Sequence, residues 1–298
     1  MNNSQQPPQR KYPNSSWEYY DLWLTIQKIL YALPNYFESE IVVKGVNPTD
    51  LYAVGSLFST AIESSLVNVL NKTRNVWDVN NVYPAFTFKR QAQTFPDVLL
   101  VDASNRNSIR FGIELKAWYA LSKEGEPSFR FKIDPDSCAD ADLLVVVPWL
   151  LSEVTSGKPV LLPPFVELAK YAAECRNYYW AESRLKVGKN STINRPASQY
   201  RKSYPAAKEK ASDSAQEDAG NNFGRISRSG QGNLLNDYLD EIHNQEYLGI
   251  KIKHWIKIFK ALAEGRNDEQ IDSALDKVLN DVKQSLATSE EDSSTNLT

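Results

Sequence analysis

Histidine and cysteine are almost missing from this chain of 298 residues, which holds two of each. Cys138 and Cys175 show no metal-ligand spacing, and His243 and His254 both fall in the C-terminal third. A zinc centre, a disulfide framework and a Cys/His or Ser/His nucleophile are therefore hard to build. No apolar run approaches the roughly 20 residues that a membrane-spanning helix needs. The polar N-terminus has no apolar signal segment, so the expectation is a cytoplasmic protein without a membrane partner. Gly-x-x-x-x-Gly-Lys-Ser/Thr occurs nowhere, which argues against a nucleotide cofactor. A formal net charge of −3 gives no overall basic bias, so any binding to nucleic acid must rest on where the charges lie.

What is present is ordinary globular material. The hydrophobic fraction of 42% and charged fraction of 24% suit a folded chain able to bury a large core, as one large domain or two smaller ones. One stretch stands apart. Val98-Leu99-Leu100-Val101 and Ile109-Arg110-Phe111-Gly112-Ile113-Glu114-Leu115 are runs of strand length and composition, separated by turn formers. They predict a β-hairpin. Centred between Asn105 and Arg106, the hairpin sets Asp97 directly opposite Glu114, with Cβ atoms about 5 Å apart. Lys116 faces the same way as Glu114. Two facing carboxylates suit one hard cation, because Mg²⁺ is held by one or two carboxylates plus water and substrate phosphate. An ammonium beside such a cation can orient or activate a water, a combination suited to phosphodiester hydrolysis. The bland alternative is a pair of solvated strand-edge carboxylates with Lys116 merely paired to one of them. Against it, Glu-Leu-Lys interrupts an otherwise apolar strand, where unpaired charge is rarely tolerated.

Pro96-Asp97, then Glu114-Leu115-Lys116, resembles the signature of the PD-(D/E)xK nuclease superfamily. Ala139-Asp140-Ala141-Asp142-Leu143-Leu144-Val145-Val146-Val147-Pro148-Trp149 is similar to the next core strand of type II restriction endonucleases, and the later Gly220-Asn221-Asn222-Phe223-Gly224-Arg225 is, less closely, similar to other segments of those enzymes. The resemblance implies an α/β restriction-endonuclease-like core: a central mixed sheet flanked by helices, with a C-terminal helical subdomain. It also implies Mg²⁺-dependent, sequence-specific hydrolysis of double-stranded DNA, leaving 5′-phosphate ends, by a homodimer. Asp97 and Glu114 would bind the metal with the Leu115 carbonyl as a further ligand, and Lys116 would position and activate the water. A helix before the hairpin often adds a carboxylate in such nucleases, and Glu63 is the candidate. The other reading of Glu63 is a surface residue on a helix flank.

Taken in order, the chain divides as follows. Residues 1–14 are polar and Pro-rich and read as disordered, and 15–183 form the core. The core opens with a helix from Trp17 to Pro34 and a stronger one from Asp50, whose apolar face includes Phe58, Ile62 and Val69. Residues 85–89 predict a first strand, 128–133 an alternating strand and 143–147 a buried one, while Pro163-Pro164 is expected to open a helix over 165–183. Residues 184–230 lose periodicity and carry ten Lys or Arg against four Asp or Glu. A stretch so long is seldom idle inside a compact enzyme, so it is expected to recognise DNA. Arg195, Gln199, Arg201, Asn221, Asn222, Arg225 and Arg228 are the candidates for base readout, and Lys186, Lys189 and Lys202 for phosphate contact. A disordered, solvated insertion is the competing reading. Residues 231–287 predict three amphipathic helices, a reasonable dimer interface, and 288–298 a disordered acidic tail. Two other functional classes stay open: a structure-selective or repair nuclease of the same superfamily, and a DNA-binding protein with inert hairpin carboxylates.

Overall fold

The computed structural model describes residues 6–46, 50–91, 94–127, 132–204, 211–218, 223–224, 234–265 and 267–295. In chain order its helices are α1 (Tyr20–Tyr31), α2 (Leu33–Tyr36), α3 (Leu51–Lys72), α4 (Arg74–Trp77), α5 (Ala169–Lys186), α6 (Asn236–Asn244), α7 (Ile252–Glu264) and α8 (Asp268–Thr295). The strands are β1 (Phe86–Arg90), β2 (Val98–Asp102), β3 (Asn105–Tyr119), β4 (Leu143–Glu153), β5 (Ser156–Leu161), β6 (Phe165–Leu168), β7 (Ile193–Asn194), β8 (Ser214–Ala215), β9 (Glu246–Tyr247) and β10 (Ile250–Lys251).

The fold is α/β, a curled mixed sheet flanked by helices. Strands run β1-β2-β3-β4-β5, and β6 also pairs with β4. Among the described strands only β3 and β4 are parallel; β1, β2 and β3 form an antiparallel meander. One edge of β4 meets β3, and the other is shared by β6 at Leu143–Val146 and β5 at Trp149–Glu153. With both edges paired, β4 is the centre of the sheet, and Leu143 to Leu151 are all buried. A continuous apolar run is what a strand covered on both faces requires. Helix α3 packs across β1 and β3, while α5 packs on β4 and β6.

The structure departs from the sequence reading in several places. The helix expected over 165–183 begins only at Ala169, because Phe165-Val166-Glu167-Leu168 pairs with β4 as β6. Proline disfavours helical dihedrals in the residue before it, and aromatic and β-branched side chains then suit an edge strand. Strand β5 was not anticipated, and of the strand expected over 128–133 residues 128–131 lie outside the described residues. Residues 6–14 do not behave as a loose terminus. Pro13 is buried, Arg10 Nε donates to Glu167 Oε2 at 2.8 Å, and its guanidinium lies 4.8 Å from the centre of the Tyr171 ring. At the other end α8 continues to Thr295, through most of the stretch expected to be a disordered acidic tail. The C-terminal helices follow the amphipathic pattern and join the sheet region through Tyr238, which donates to the Pro163 carbonyl, and Tyr247, which donates to the Leu151 carbonyl. Among the described residues no helix is long and apolar enough to cross a membrane.

Candidate active site

The hairpin places its charged residues as the alternation of side chains requires, although by an unexpected route. Asp102 pairs with Asn105, so the turn is Ala103-Ser104 rather than the pair 105 and 106. Irregularities on either side of Val101 then make β3 four residues longer than β2 between that turn and the Val98–Ile113 pair. Those extra residues restore the register in which Asp97 lies opposite Glu114.

Strand β2 begins at Val98, whereas β3 runs on to Tyr119. Beyond Ile113 the edge of β3 that faced β2 is therefore open, and its amides need acceptors. Side chains supply them. Leu115 N donates to Asp97 Oδ2 at 2.9 Å and Ala117 N to Glu63 Oε1 at 3.2 Å, while Asp97 N donates to Glu114 Oε2 at 3.2 Å. The carboxylates are thus gathered where β2 stops. In an antiparallel pair a residue's N–H and C=O leave the strand on the same side, so the Leu115 carbonyl shares this open edge with Asp97.

Lys116 closes the group. Its Nζ lies 2.6 Å from Glu114 Oε1 and 3.7 Å from Asp97 Oδ2, all three side chains being at most about a quarter exposed. Burial pushes the Glu114 carboxyl up to about 7, and Asp97 adds to the rise while Lys116 opposes it. Burial alone would lower the Lys116 pKa, but Glu114 and Asp97 more than reverse this and hold it above the ordinary lysine value. Lys116 therefore stays an ammonium at neutral pH. The Glu63 carboxyl is raised by burial, by more than the Ala117 amide lowers it. Glu63 is no solvated flank residue: it comes from α3 to bond the β3 backbone beside Lys116.

Three carboxyl groups gather around one ammonium in a half-buried place, and burial raises the pKa of Glu114 and of Glu63. The donor set is all oxygen, and the Lys116 ammonium already bridges Asp97 and Glu114. A hard divalent cation on those two carboxylates fits this chemistry. Glu63 is not part of a three-carboxylate cage, since no group of three or more His, Cys, Asp or Glu side chains able to hold a metal occurs among the described residues.

The long basic segment is built differently from the expectation. Its strands β7 and β8 pair with each other, and it is pinned to the stretch between β3 and β4. Arg195 contacts Asp134 through Nε at 2.7 Å and through a second nitrogen at 2.8 Å, and Asp136 at 2.7 Å; Arg201 contacts Asp136 at 3.1 Å. Buried Asp213 pairs with buried Arg176 at 3.1 Å. The guanidiniums of Arg195 and Arg201 are therefore engaged in docking the segment. Lys186, Lys189, Gln199 and Lys202 are exposed. Asn221, Asn222, Arg225 and Arg228 lie outside the described residues.

The sequence reading missed four residues around the hairpin. Gly112 leaves room for the Pro96 ring, which a Cβ at that position would strike. Asp142 accepts from Gly112 N at 2.6 Å, Ala139 N at 2.8 Å and the Tyr204 hydroxyl at 2.9 Å. Arg90, exposed at the end of β1, lies near enough to Glu63 to favour its ionised form. A glycine inside an apolar strand was the one local signal of close approach.

No family model, no curated protein and no solved structure matches this chain.

Proposed function

We propose that the chain is a Mg²⁺-dependent endodeoxyribonuclease of the PD-(D/E)xK kind, with a restriction-endonuclease-like core, and that it acts as a homodimeric type II restriction enzyme on double-stranded DNA. The observation that carries the reading is the convergence of Asp97, Glu114 and Lys116 at the open edge of β3, with Glu63 brought to the same edge from α3. Asp97, Glu114 and the Leu115 carbonyl would hold the Mg²⁺, which when bound neutralises charge on the phosphate and acidifies water. Lys116, kept as an ammonium by its two carboxylates, acts as a hydrogen-bond donor that orients the attacking water. Glu63, raised by burial, is the better proton acceptor of the two, since an ammonium has no lone pair to take a proton. Water adds to phosphorus as the bond to the 3′ oxygen breaks, giving a 5′-phosphate and a 3′-hydroxyl. Arg90, exposed beside Glu63, would meet a phosphate oxygen, and the exposed Lys186, Lys189, Gln199 and Lys202 would meet the duplex.

The test is a gel of long unmethylated DNA incubated with the protein in Mg²⁺ or EDTA, with Lys116→Ala alongside. Discrete Mg²⁺-dependent bands support a sequence-specific enzyme, and Lys116→Ala should cut at least about a hundredfold more slowly while binding DNA normally. A smear favours a nonspecific nuclease, and cleavage confined to branched substrates favours a resolvase or repair enzyme. Full cleavage by Lys116→Ala would refute the mechanism. Tight DNA binding with no cleavage and no Mn²⁺ binding would favour a DNA-binding protein with inert carboxylates.

A further inference from the structure

Among the described residues, Tyr204 links the basic segment to the hairpin through Asp142. Tyr204 donates its hydroxyl at 2.9 Å to Asp142 Oδ1, and the same oxygen accepts the Gly112 amide at 2.6 Å. The other oxygen of Asp142 takes the Ala139 amide, and the carboxyl group is almost fully enclosed. Gly112 is wedged between two groups. A Cβ built there would stand 3.1 Å from Asp142 Oδ1 on one side and strike the Pro96 ring on the other. Pro96 is bonded to Asp97, and Gly112 lies two residues before Glu114 on β3. A contiguous packed path therefore runs from Tyr204 through Asp142 and Gly112 to Pro96 and the Asp97 carboxylate.

We propose that Tyr204 and Asp142 are positioning residues, through which the docked 187–204 segment sets the Asp97 carboxylate against the Leu115 amide and the cation site. The proposal rests on the nuclease reading for its effect on catalysis, but not for the coupling itself. Arg195 and Arg201 anchor the same segment to Asp134 and Asp136. Of the three anchors, Tyr204 is the one that bonds the carboxylate holding Gly112. The exposed Lys202 lies two residues from Tyr204, so a duplex gripped by the segment pulls on the same chain that steadies the hairpin. Loss of the hydroxyl frees Asp142 from one of its three donors and lets Gly112 and Pro96 shift together. Such a shift misplaces Asp97 without removing any group that touches DNA.

The test compares wild type, Tyr204→Phe and Arg201→Gln as full chains. The first readout is hydrogen exchange at the Leu115 amide, whose acceptor is Asp97 Oδ2. Tyr204→Phe should speed it about tenfold, the scale of one lost hydrogen bond to a charged group, and Arg201→Gln should leave it at the wild-type rate. The second readout is cleavage: Tyr204→Phe should lower kcat about tenfold with KM for DNA unchanged, because positioning acts on the reacting geometry and not on duplex binding. Wild-type exchange at Leu115 in Tyr204→Phe overturns the proposal whatever cleavage does. Equal acceleration in both variants also overturns it, since the segment would then act as a general cover. A wild-type chain that never cleaves DNA refutes the nuclease reading alone, and the exchange comparison still decides the coupling.

Discussion

Replacing Gly112 by alanine should damage both the fold and the site, and the structure sets the scale. The new Cβ strikes the ring of Pro96, coming within 3.0 Å of the ring's own Cβ, and stands 3.1 Å from Asp142 Oδ1. Neither neighbour gives way cheaply: a proline ring moves only with its backbone, and Asp142 is held by Ala139 and Tyr204. Forcing an extra methyl into such a place costs about 1–3 kcal/mol. Alanine returns up to about 1 kcal/mol by restricting the unfolded chain. The net loss should lower Tm by roughly 2–4 °C per kcal/mol for a chain near this size. Gly55→Ala is the matched control, because its Cβ would meet Tyr119 Cβ at an ordinary 3.5 Å inside α3. There alanine should be neutral or stabilising by up to about 1 kcal/mol. Thermal melts of both variants check this, with a Mn²⁺ titration to report on Asp97. If Gly112→Ala melts no lower than Gly55→Ala and binds Mn²⁺ like wild type, the packed contact between β3 and Pro96 does not hold the site.

Two further outcomes concern stability. Arg176 and Asp213 are both buried, so Arg176→Met should cost about 3–5 kcal/mol by leaving a buried carboxylate uncompensated. Burial already pushes the Asp213 carboxyl up to about 7, and the neighbouring Asp134 carboxylate adds to the rise. A folded pKa above the unfolded one favours folding at low pH and loses that advantage as pH rises through about 7. The deficit of Arg176→Met in urea unfolding should therefore be smaller at pH 5 than at pH 8; an equal deficit would contradict the assignment. His254 has the opposite sign. It is buried, neither ring nitrogen has a hydrogen-bond partner among the described residues, and burial, then Lys257 and Lys253, lower its pKa, with Asp281 opposing. Its neutral form is favoured in the folded state, so stability is full above the ordinary histidine value and declines as pH falls through it. His254→Phe should flatten that acid-side decline in urea titrations, and an unchanged pH profile would show that another group causes it.

Much of the candidate site was legible along the chain because a strand repeats every two residues. Once Asp97 and Glu114 bracket a hairpin, only certain registers bring them together, and the apolar alternation of Leu100, Phe111 and Ile113 selects one of them. The turn itself was misplaced, since irregularities such as those beside Val101 carry no compositional mark in this stretch. Glu63 could be named but not decided, because a glutamate on the margin of a helix looks the same whether it meets water or the Ala117 amide. The docking of the basic segment was not legible. Arginine and lysine spacing says nothing of where Asp134, Asp136 and Asp142 stand, and ion-pair partners are chosen by proximity in space.

By itself, then, the sequence determined the α/β class, the long helix ahead of the hairpin, the buried strand at Leu143, the amphipathic C-terminal helices and the facing of Asp97, Glu114 and Lys116. These follow from local periodicity and from the cost of isolated charge in an apolar strand. The tertiary structure alone decided that β6 replaces the start of a helix, that Glu63 reaches the open edge of β3, and that Arg195, Arg201 and Tyr204 dock the long segment. Those outcomes depend on which distant backbone edges and buried charges are left unpaired when the sheet closes, and no local pattern records that.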